Sequence, residues 1–142
     1  MKKLLILIAL LIPITSQAQV QEKSKIIRIV DADTFIISAP FIPKPLKQQI
    51  PLRLAGVDTP NIKRWANCDR EAKLGQEAKL YVQGLLDTSK KQEIKFLSMD
   101  KYNRILGEVY FDGKNVSEIL IEKGFGRKYT GEKKQSWCHE KL

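Results

Sequence analysis

Short runs of β-branched and aliphatic residues cluster in the first part of the chain, before any stretch with helical periodicity. KIIRIV (25–30), TFIIS (34–38) and IPLRLAGV (50–57) are three such runs, and their composition predicts β-strands. DAD at 31–33 predicts a turn between the first two strands, and the proline-rich segment 39–49 predicts a loop. Strands that follow one another without helices between them favour an α+β fold or a small β-barrel with packed helices.

The hydrophobic period changes after the third strand. Between Asp69 and Leu86 the apolar residues recur at helical spacing, which predicts an amphipathic helix. Two further runs have strand composition: EIKFLS (93–98) and ILGEVYF (105–111). DG at 112–113 predicts a turn, Asn115 with Glu118 predicts the start of a second helix, and Gly124 predicts its end. The chain contains no internal repeat, and its length predicts one domain.

The N-terminal 18 residues, MKKLLILIALLIPITSQA, have the composition of a secretory signal peptide. Two lysines precede an apolar run from Leu4 to Ile14, and Ser16 and Ala18 suit cleavage after Ala18. A membrane-spanning helix is the alternative, but it needs about 20 apolar residues and this run has 11. We therefore expect an exported protein, periplasmic or secreted, with a mature domain at 19–142 and no membrane attachment after cleavage.

The chain is basic, with a net charge of +9 that becomes +7 without Lys2 and Lys3. A basic exported protein can bind nucleic acid, anionic lipid or an acidic envelope polymer, and charge alone does not choose among these partners. The three partner classes therefore stay open until individual residues are considered.

The chain has two cysteines, Cys68 and Cys138. In an oxidising compartment an even number of cysteines favours a disulfide, which would stabilise the fold by about 4 kcal/mol in the chain-entropy model. A metal site formed with His139 is a second interpretation, but it has too few ligands at unsuitable spacing. A catalytic thiol is a third, and no histidine motif supports it.

Acidic and guanidinium side chains lie near the ends of the predicted strands. Asp31, Asp33 and Asp58 could supply oxygen ligands to a hard divalent cation such as Ca²⁺. Arg53 and Arg104 could each bind two oxygens of a phosphate. Together these groups suit phosphodiester hydrolysis. Taken singly they have other interpretations, because Asp-x-Asp often stabilises a turn and strand arginines are commonly solvated or ion-paired.

Four motifs, in order, narrow these alternatives: IVDADTFII, RLAGVDTP, DKYNRILGEVY and DGKNVSEILIEKGFG. They resemble the micrococcal nuclease (thermonuclease, staphylococcal nuclease-like) family, in its exported cysteine-bearing branch, over residues 25–129. The resemblance implies an OB-like five-stranded barrel with two or three packed helices. It also implies Ca²⁺-dependent hydrolysis of DNA and RNA to 3′-phosphate products, and we expect a monomer.

The resemblance further implies roles for individual residues. The residues that would bind Ca²⁺ are Asp33, Asp58 and the backbone carbonyl of Thr59, with Asp31 just beyond them. The residues that would bind the scissile phosphate are Arg53 and Arg104. The residues that would contact the nucleotide are Lys101, Tyr102 and Tyr129. The family's C-terminal helix has little room here, and a Cys68–Cys138 bridge with the tail KKQSWC would take its place.

The sequence departs from the family at one catalytic position. The family's general-base glutamate follows Thr-Pro, and here that residue is Asn61. An amide can orient a water molecule but cannot accept its proton, and general-base help is worth roughly 10²–10⁴ in rate. We therefore expect an attenuated enzyme, in which Asp69 or Glu71 could act as the substitute base.

Three functions consequently remain open. The first is a slow metal-dependent nuclease in which Asn61 contributes to catalysis by orienting water. The second is a non-catalytic nucleic-acid-binding module on the same fold, and the third is a basic periplasmic interaction protein that binds no nucleic acid. The retained pairs of aspartates (Asp33, Asp58) and arginines (Arg53, Arg104) favour the enzyme, because a binding module has no need of carboxylates beside phosphate.

Overall fold

The structure is a computed structural model that describes residues 23–139, so the predicted signal peptide lies outside the described residues. Its strands are β1 (Ile26–Asp31), β2 (Thr34–Ser38), β3 (Gln49–Leu54), β4 (Val57–Asp58), β5 (Gln92–Met99), β6 (Ile105–Phe111), β7 (Lys114–Asn115) and β8 (Arg127–Lys128). Its helices are α1 (Asp69–Thr88) and α2 (Val116–Glu122). The elements occur in the predicted order, and the proline-rich segment 39–49 is a loop up to the first residue of β3.

The main sheet is mixed. Its strands follow the order β1-β2-β3-β6-β5, in which β3 and β6 are parallel and the other neighbours antiparallel, while β7 extends β6 and β4 pairs with β8. The α+β prediction is confirmed. The path contains five main strands, as predicted, but no pairing within residues 23–139 joins β1 to β5. Barrel closure is therefore not seen, and α1 packs against β1.

The hydrophobic core lies between the sheet and the two helices. Leu52 and Leu54 of β3 are fully buried in it, together with Ala78 and Val82 on one face of α1. Arg53, between the two leucines, points to the opposite face, as the strand alternation predicts. Each strand that reaches the core therefore also presents alternate residues on its other face, where the polar groups collect.

The predicted turns and helix ends are confirmed by the backbone. Asp112 and Gly113 both have positive φ, 49° and 81°, which is the geometry that Asp-Gly favours in a two-residue hairpin turn. Asn115 caps α2 by accepting a hydrogen bond from Ser117 N–H at 2.8 Å. Gly124, at φ 77°, ends that helix in the left-handed region. In the part of the chain that is described, neither helix is long and apolar enough to cross a membrane.

Candidate functional site

A cleft of about 620 Å³ opens at the ends of β1, β3 and β6. It is lined by most of the predicted site residues: Asp31, Asp33, Arg53, Asn61, Lys101, Tyr102, Arg104 and Tyr129. The other two, Asp58 and Thr59, line a second cavity of about 310 Å³ beside it. Asn61 and Lys134 line both cavities, so the two spaces are neighbours across these side chains.

Strand pairing brings Arg53 beside Asp33. Arg53 of β3 lies opposite Thr34 of β2, one residue from Asp33. Its guanidinium forms an ion pair with the Asp33 carboxylate and donates to Val57 O at 3.1 Å. The second Asp33 oxygen accepts from Thr34 Oγ1 at 3.0 Å. Both side chains are less than a tenth exposed, so this buried pair is held in one arrangement at the base of the cleft.

Thr59 links the Asp33 carboxylate to the short strand β4. Its hydroxyl and its backbone N–H donate to Asp33 Oδ2 at 2.6 and 3.1 Å. This contact joins the segment that carries Asp58 to the β1–β2 turn, across 26 positions of sequence. Asp33 and Thr59, both predicted to supply metal ligands, are therefore adjacent in space.

Asp31 lines the cleft with a partly unsatisfied carboxylate. Its Oδ1 atom is buried without a hydrogen-bond partner. Burial, and after it the negative charge of Asp33, raises the pKa of Asp31 to about 6. A nearby cation would offset both effects, because it favours the ionised carboxylate.

The loop between β5 and β6 holds the second arginine. Asp100 Oδ2 accepts from Arg104 Nε at 2.7 Å, and Asp100 Oδ1 accepts from the backbone N–H groups of Tyr102 and Arg104. Burial raises the pKa of Asp100, but these hydrogen bonds outweigh it and the pKa is lowered. The Arg104 guanidinium also lies 5.4 Å from the Tyr102 ring centroid. Asp100 thus orients Arg104 while leaving guanidinium N–H groups for a ligand.

The aromatic residues of the cleft differ in exposure. Tyr102 is 66% exposed, with Lys101 Nζ lying 5.1 Å from its ring centroid. Tyr129 is fixed through its backbone, whose N–H donates to Gly56 O at 3.1 Å. Tyrosine faces with nearby cations are suited to stacking with bases and binding phosphates at the rim of such a cleft.

Asn61 is not a free side chain. Its Nδ2 and its backbone N–H donate to Glu71 Oε1 at 2.9 and 3.2 Å, and Asn67 donates in the same two ways to Glu71 Oε2. Burial raises the pKa of Glu71, but these four hydrogen bonds outweigh it and lower the pKa. Gly75 of α1 allows the Asn61 backbone to approach the helix, because a Cβ at that position would clash with the Asn61 carbonyl oxygen.

The two candidate substitute bases are accordingly unsuited. Glu71 is buried, accepts hydrogen bonds on both oxygens and has a lowered pKa, so it fixes the 61–67 loop instead of accepting a proton from water. Asp69 is exposed at the start of α1 and does not line the cleft. At the position of the family's general base, the cleft is therefore lined by Asn61 and by neither of these two carboxylates.

The C-terminal segment reaches the site through a disulfide. Cys68 and Cys138 are joined, as predicted, with their Cα atoms 6.0 Å apart. Trp137, beside Cys138, is buried and donates its Nε1–H to Asp58 Oδ2 at 3.1 Å. Lys134 Nζ lies 2.6 Å from Asp58 Oδ1, as an ion pair. The tail that would otherwise hang free is therefore part of the site.

The oxygen donors of the cleft are compatible with a hard cation. Among residues 23–139, no three His, Cys, Asp or Glu side chains converge as a ready-made metal cluster. Two carboxylates, Asp31 and Asp33, nevertheless line one cleft, and Asp31 has an unpartnered buried oxygen. Oxygen donors of this kind fit Ca²⁺, which also accepts carbonyls and water, so the chemistry of the site is compatible with that ion.

The sequence around this site matches a known family. Residues 51–142 match the family model described as staphylococcal nuclease homologue. The chain belongs to the staphylococcal nuclease homologue family. Members of this family typically depend on calcium, bind nucleic acids and have an OB-like fold. The match includes Arg53, Asp58, Asn61 and Arg104, while Asp33 precedes it.

A curated protein shares part of this sequence. An uncharacterized 38.1 kDa protein of Capnoides sempervirens is 28% identical over 102 residues, which are 72% of this chain. The aligned part is 28% of that protein's length, so the chain spans under a third of the relative it matches. Because that protein is uncharacterized, this similarity says nothing of activity.

The sequence did not reveal the roles of four residues of the site, of which Glu71 was expected only as a substitute base. Asp100 and Glu71 each bind a predicted site residue or its loop, and Lys134 and Trp137 contact Asp58. The pairing of Asp100 with Arg104 could have been predicted, because the two residues are four positions apart in DKYNR. The other three depend on tertiary contacts, although a tryptophan next to a bridging cysteine is a hint that the tail is packed.

Proposed function

We propose that this chain is a metal-dependent nuclease that hydrolyses phosphodiester bonds of DNA and RNA. The observation that carries the proposal is the convergence of Asp31, Asp33, Arg53 and Arg104 on one cleft. Family membership supports a nuclease, and the basic composition supports a polyanionic substrate. The binding of a phosphodiester needs cations, and two arginines held by carboxylates provide them in fixed orientations.

The arginines would act mainly on charge. Arg53 and Arg104 would bind the non-bridging oxygens of the scissile phosphate, and they would stabilise the charge that develops during displacement. Because Asp33 and Asp100 already orient the two guanidiniums, little reorganisation accompanies substrate binding. Tyr102 and Lys101 would contact the adjoining nucleotide at the rim.

A divalent cation completes the proposal. Asp33, Asp58 and the Thr59 carbonyl would hold Ca²⁺, and the unpartnered Oδ1 of Asp31 would be a further oxygen donor. When bound, such an ion polarises a phosphoryl oxygen and lowers the pKa of a water ligand. Asn61 would orient the attacking water through its side-chain carbonyl oxygen, since its Nδ2 donates to Glu71. With no carboxylate to take the proton at this position, we expect a slow enzyme.

A non-catalytic binding module is the second candidate, and Asn61 is the observation that favours it. Digestion of single-stranded DNA and of RNA with Ca²⁺, and with a chelator in place of Ca²⁺, separates the two candidates. The nuclease predicts fragments with Ca²⁺ alone. The binding module predicts a gel shift of the same substrates without cleavage under either condition. The absence of both would contradict the two proposals together.

Affinity for DNA should fall steeply as salt rises. Lys44 and Lys47 of the proline-rich loop and the net positive charge favour binding through several phosphates. Each phosphate neutralised on duplex DNA contributes about −0.9 to the slope of log affinity against log salt. Fluorescence anisotropy of a labelled duplex between ~50 and ~200 mM salt measures this slope. An affinity independent of salt would refute an electrostatic interface.

We also infer that the protein works outside the cytoplasm. The Cys68–Cys138 disulfide supports this localisation, because such bridges persist in oxidising compartments. Intact mass of protein purified from the periplasm or the medium, with and without reduction before alkylation, tests it. One disulfide and a mature chain starting at residue 19 are expected, whereas two free thiols would contradict the inference.

A further inference from the structure

The C-terminal segment 130–138 is anchored on both sides of Trp137, which contacts Asp58. At one end Cys138 is joined to Cys68, the N-cap of α1. Directly before Trp137, Ser136 O accepts from Arg127 Nη1 at 2.9 Å, and the same guanidinium stacks 3.7 Å from the Trp137 ring centroid. Trp137 is only 9% exposed. This segment is therefore packed as a fixed part of the domain.

Two chemically different groups of the segment bind Asp58. Trp137 Nε1–H is a neutral donor to Oδ2, and it is buried and rigid. Lys134 Nζ is a full positive charge beside Oδ1, on a side chain that is half exposed. Arg53 Nη2 is the next cation, at 3.7 Å from the same Oδ1. A neutral hydrogen bond can persist when a carboxylate binds a metal ion, whereas an ammonium group in contact with it competes for the same oxygen.

We propose that segment 130–138 controls the availability of Asp58 to a divalent cation, with Trp137 as a positioning residue and Lys134 as a resident counter-ion that the cation displaces. The inference rests on the proposed function, because Asp58 is there a ligand of Ca²⁺. Trp137 orients the carboxylate through the oxygen that Lys134 does not contact. Lys134 neutralises the other oxygen until the cation binds, and its exposed side chain can then move into the cleft that it already lines.

The two residues therefore have effects of opposite sign on metal affinity. Loss of a partner that orients a metal ligand typically costs 10–100-fold in affinity, so Trp137→Phe should weaken Ca²⁺ binding by ~10-fold or more. Removing a half-exposed ammonium removes a weak competitor, so Lys134→Gln should tighten binding by ~2- to 5-fold. Lys134→Arg keeps the charge and should restore the wild-type affinity.

Calorimetric titration of the whole protein with CaCl₂, without nucleic acid, measures these affinities. Trp65→Phe is the matched control for the tryptophan, because Trp65 is 59% exposed and distant in sequence from the segment. Lys133→Gln is the control for charge. It removes the same charge from an exposed residue next to Lys134. Both controls should bind Ca²⁺ like the wild type.

Fluorescence adds a signal that a purely structural role would not move. In the Trp65→Phe background the tryptophan emission comes from Trp137 alone, and Ca²⁺ should change it with the same affinity that calorimetry gives. Dithiothreitol tests the anchor: it passes two electrons and two protons to the disulfide, yields the thiols of Cys68 and Cys138, and becomes a cyclic disulfide itself. The reduced protein should bind Ca²⁺ as weakly as Trp137→Phe.

The outcomes separate the inference from the proposed function. If the wild type binds no Ca²⁺, the proposed metal dependence fails and the inference falls with it. If the wild type binds Ca²⁺ but Trp137→Phe matches it, the positioning role of Trp137 is overturned. A Lys134→Gln affinity no higher than that of Lys133→Gln overturns the counter-ion role, and this arm decides the matter if Trp137→Phe does not fold.

Discussion

Replacing Arg53 by alanine should lower kcat for DNA cleavage by ~10³-fold or more, the largest effect that we expect from one substitution. The guanidinium is the cation nearest Asp33 at the base of the cleft, and its loss removes charge stabilisation that water cannot supply in a buried site. Steady-state cleavage of a labelled oligonucleotide at saturating substrate measures the change. Arg28→Ala, on an exposed position of β1, is the matched control and should retain wild-type kcat.

Stability must be measured beside activity in this comparison. Breaking a buried ion pair commonly costs about 3–5 kcal/mol, because one charge is left uncompensated, so Arg53→Ala will also unfold at lower temperature. Assays therefore belong well below the melting temperature found by circular dichroism. Arg53→Lys keeps the charge but loses the fork of donors, and it should be intermediate in kcat. A folded Arg53→Ala protein with wild-type kcat would exclude Arg53 from the chemistry.

Exchanging the amide and the carboxylate of the Asn61–Glu71 pair should raise kcat by ~10-fold or more. In the wild type, Glu71 Oε1 accepts two hydrogen bonds from Asn61. Asn61→Glu alone places a second carboxylate against this oxygen. Like charges at that distance disfavour each other, so the single variant should be less stable and gain little activity. In Asn61→Glu/Glu71→Gln the pair again carries one negative charge, and the proton acceptor now lines the cleft.

Thermal melts and kcat of both variants decide whether this pair limits the rate. Glu71→Gln alone is the matched control, and it should lose stability without gaining activity. If the double variant is folded and no faster than the wild type, the missing base is not what limits the rate. If Asn61→Glu alone is as stable as the wild type and already faster, the proposed repulsion from Glu71 is wrong.

Local patterns predicted the secondary structure because local forces decide it. Alternation around Leu52 and Leu54, and the Asn115 and Gly124 ends of α2, correspond to contacts within a few residues, and the structure contains them as expected. Arg53, Asp33 and Arg104 were predicted by motif order, and they meet in one cleft. Their convergence depends on the tertiary structure, which the spacing of these residues in the sequence could not predict.

The contacts of the C-terminal tail could not be predicted in the same way. Its composition is polar without periodicity, so nothing local distinguishes Lys134 from Lys133, although only Lys134 reaches Asp58 at 2.6 Å. Glu71 is similar, because a glutamate in the first turn of a helix is ordinarily a surface residue. Its burial follows from the approach of the 61–67 loop to α1 at Gly75, which depends on the whole fold.

Product-end analysis tests the nuclease proposal most directly. A single-stranded oligonucleotide is incubated with excess protein, once with Ca²⁺ and once with chelator, and its fragments are weighed by mass spectrometry. Asp33→Asn protein, purified in the same way, controls for contaminating nucleases. It would carry the same contaminants, but its proposed metal site is weakened. We expect fragments ending in 3′-phosphate only in the reaction that contains both Ca²⁺ and wild-type protein. An intact oligonucleotide in every reaction, or equal cleavage by Asp33→Asn, would contradict it.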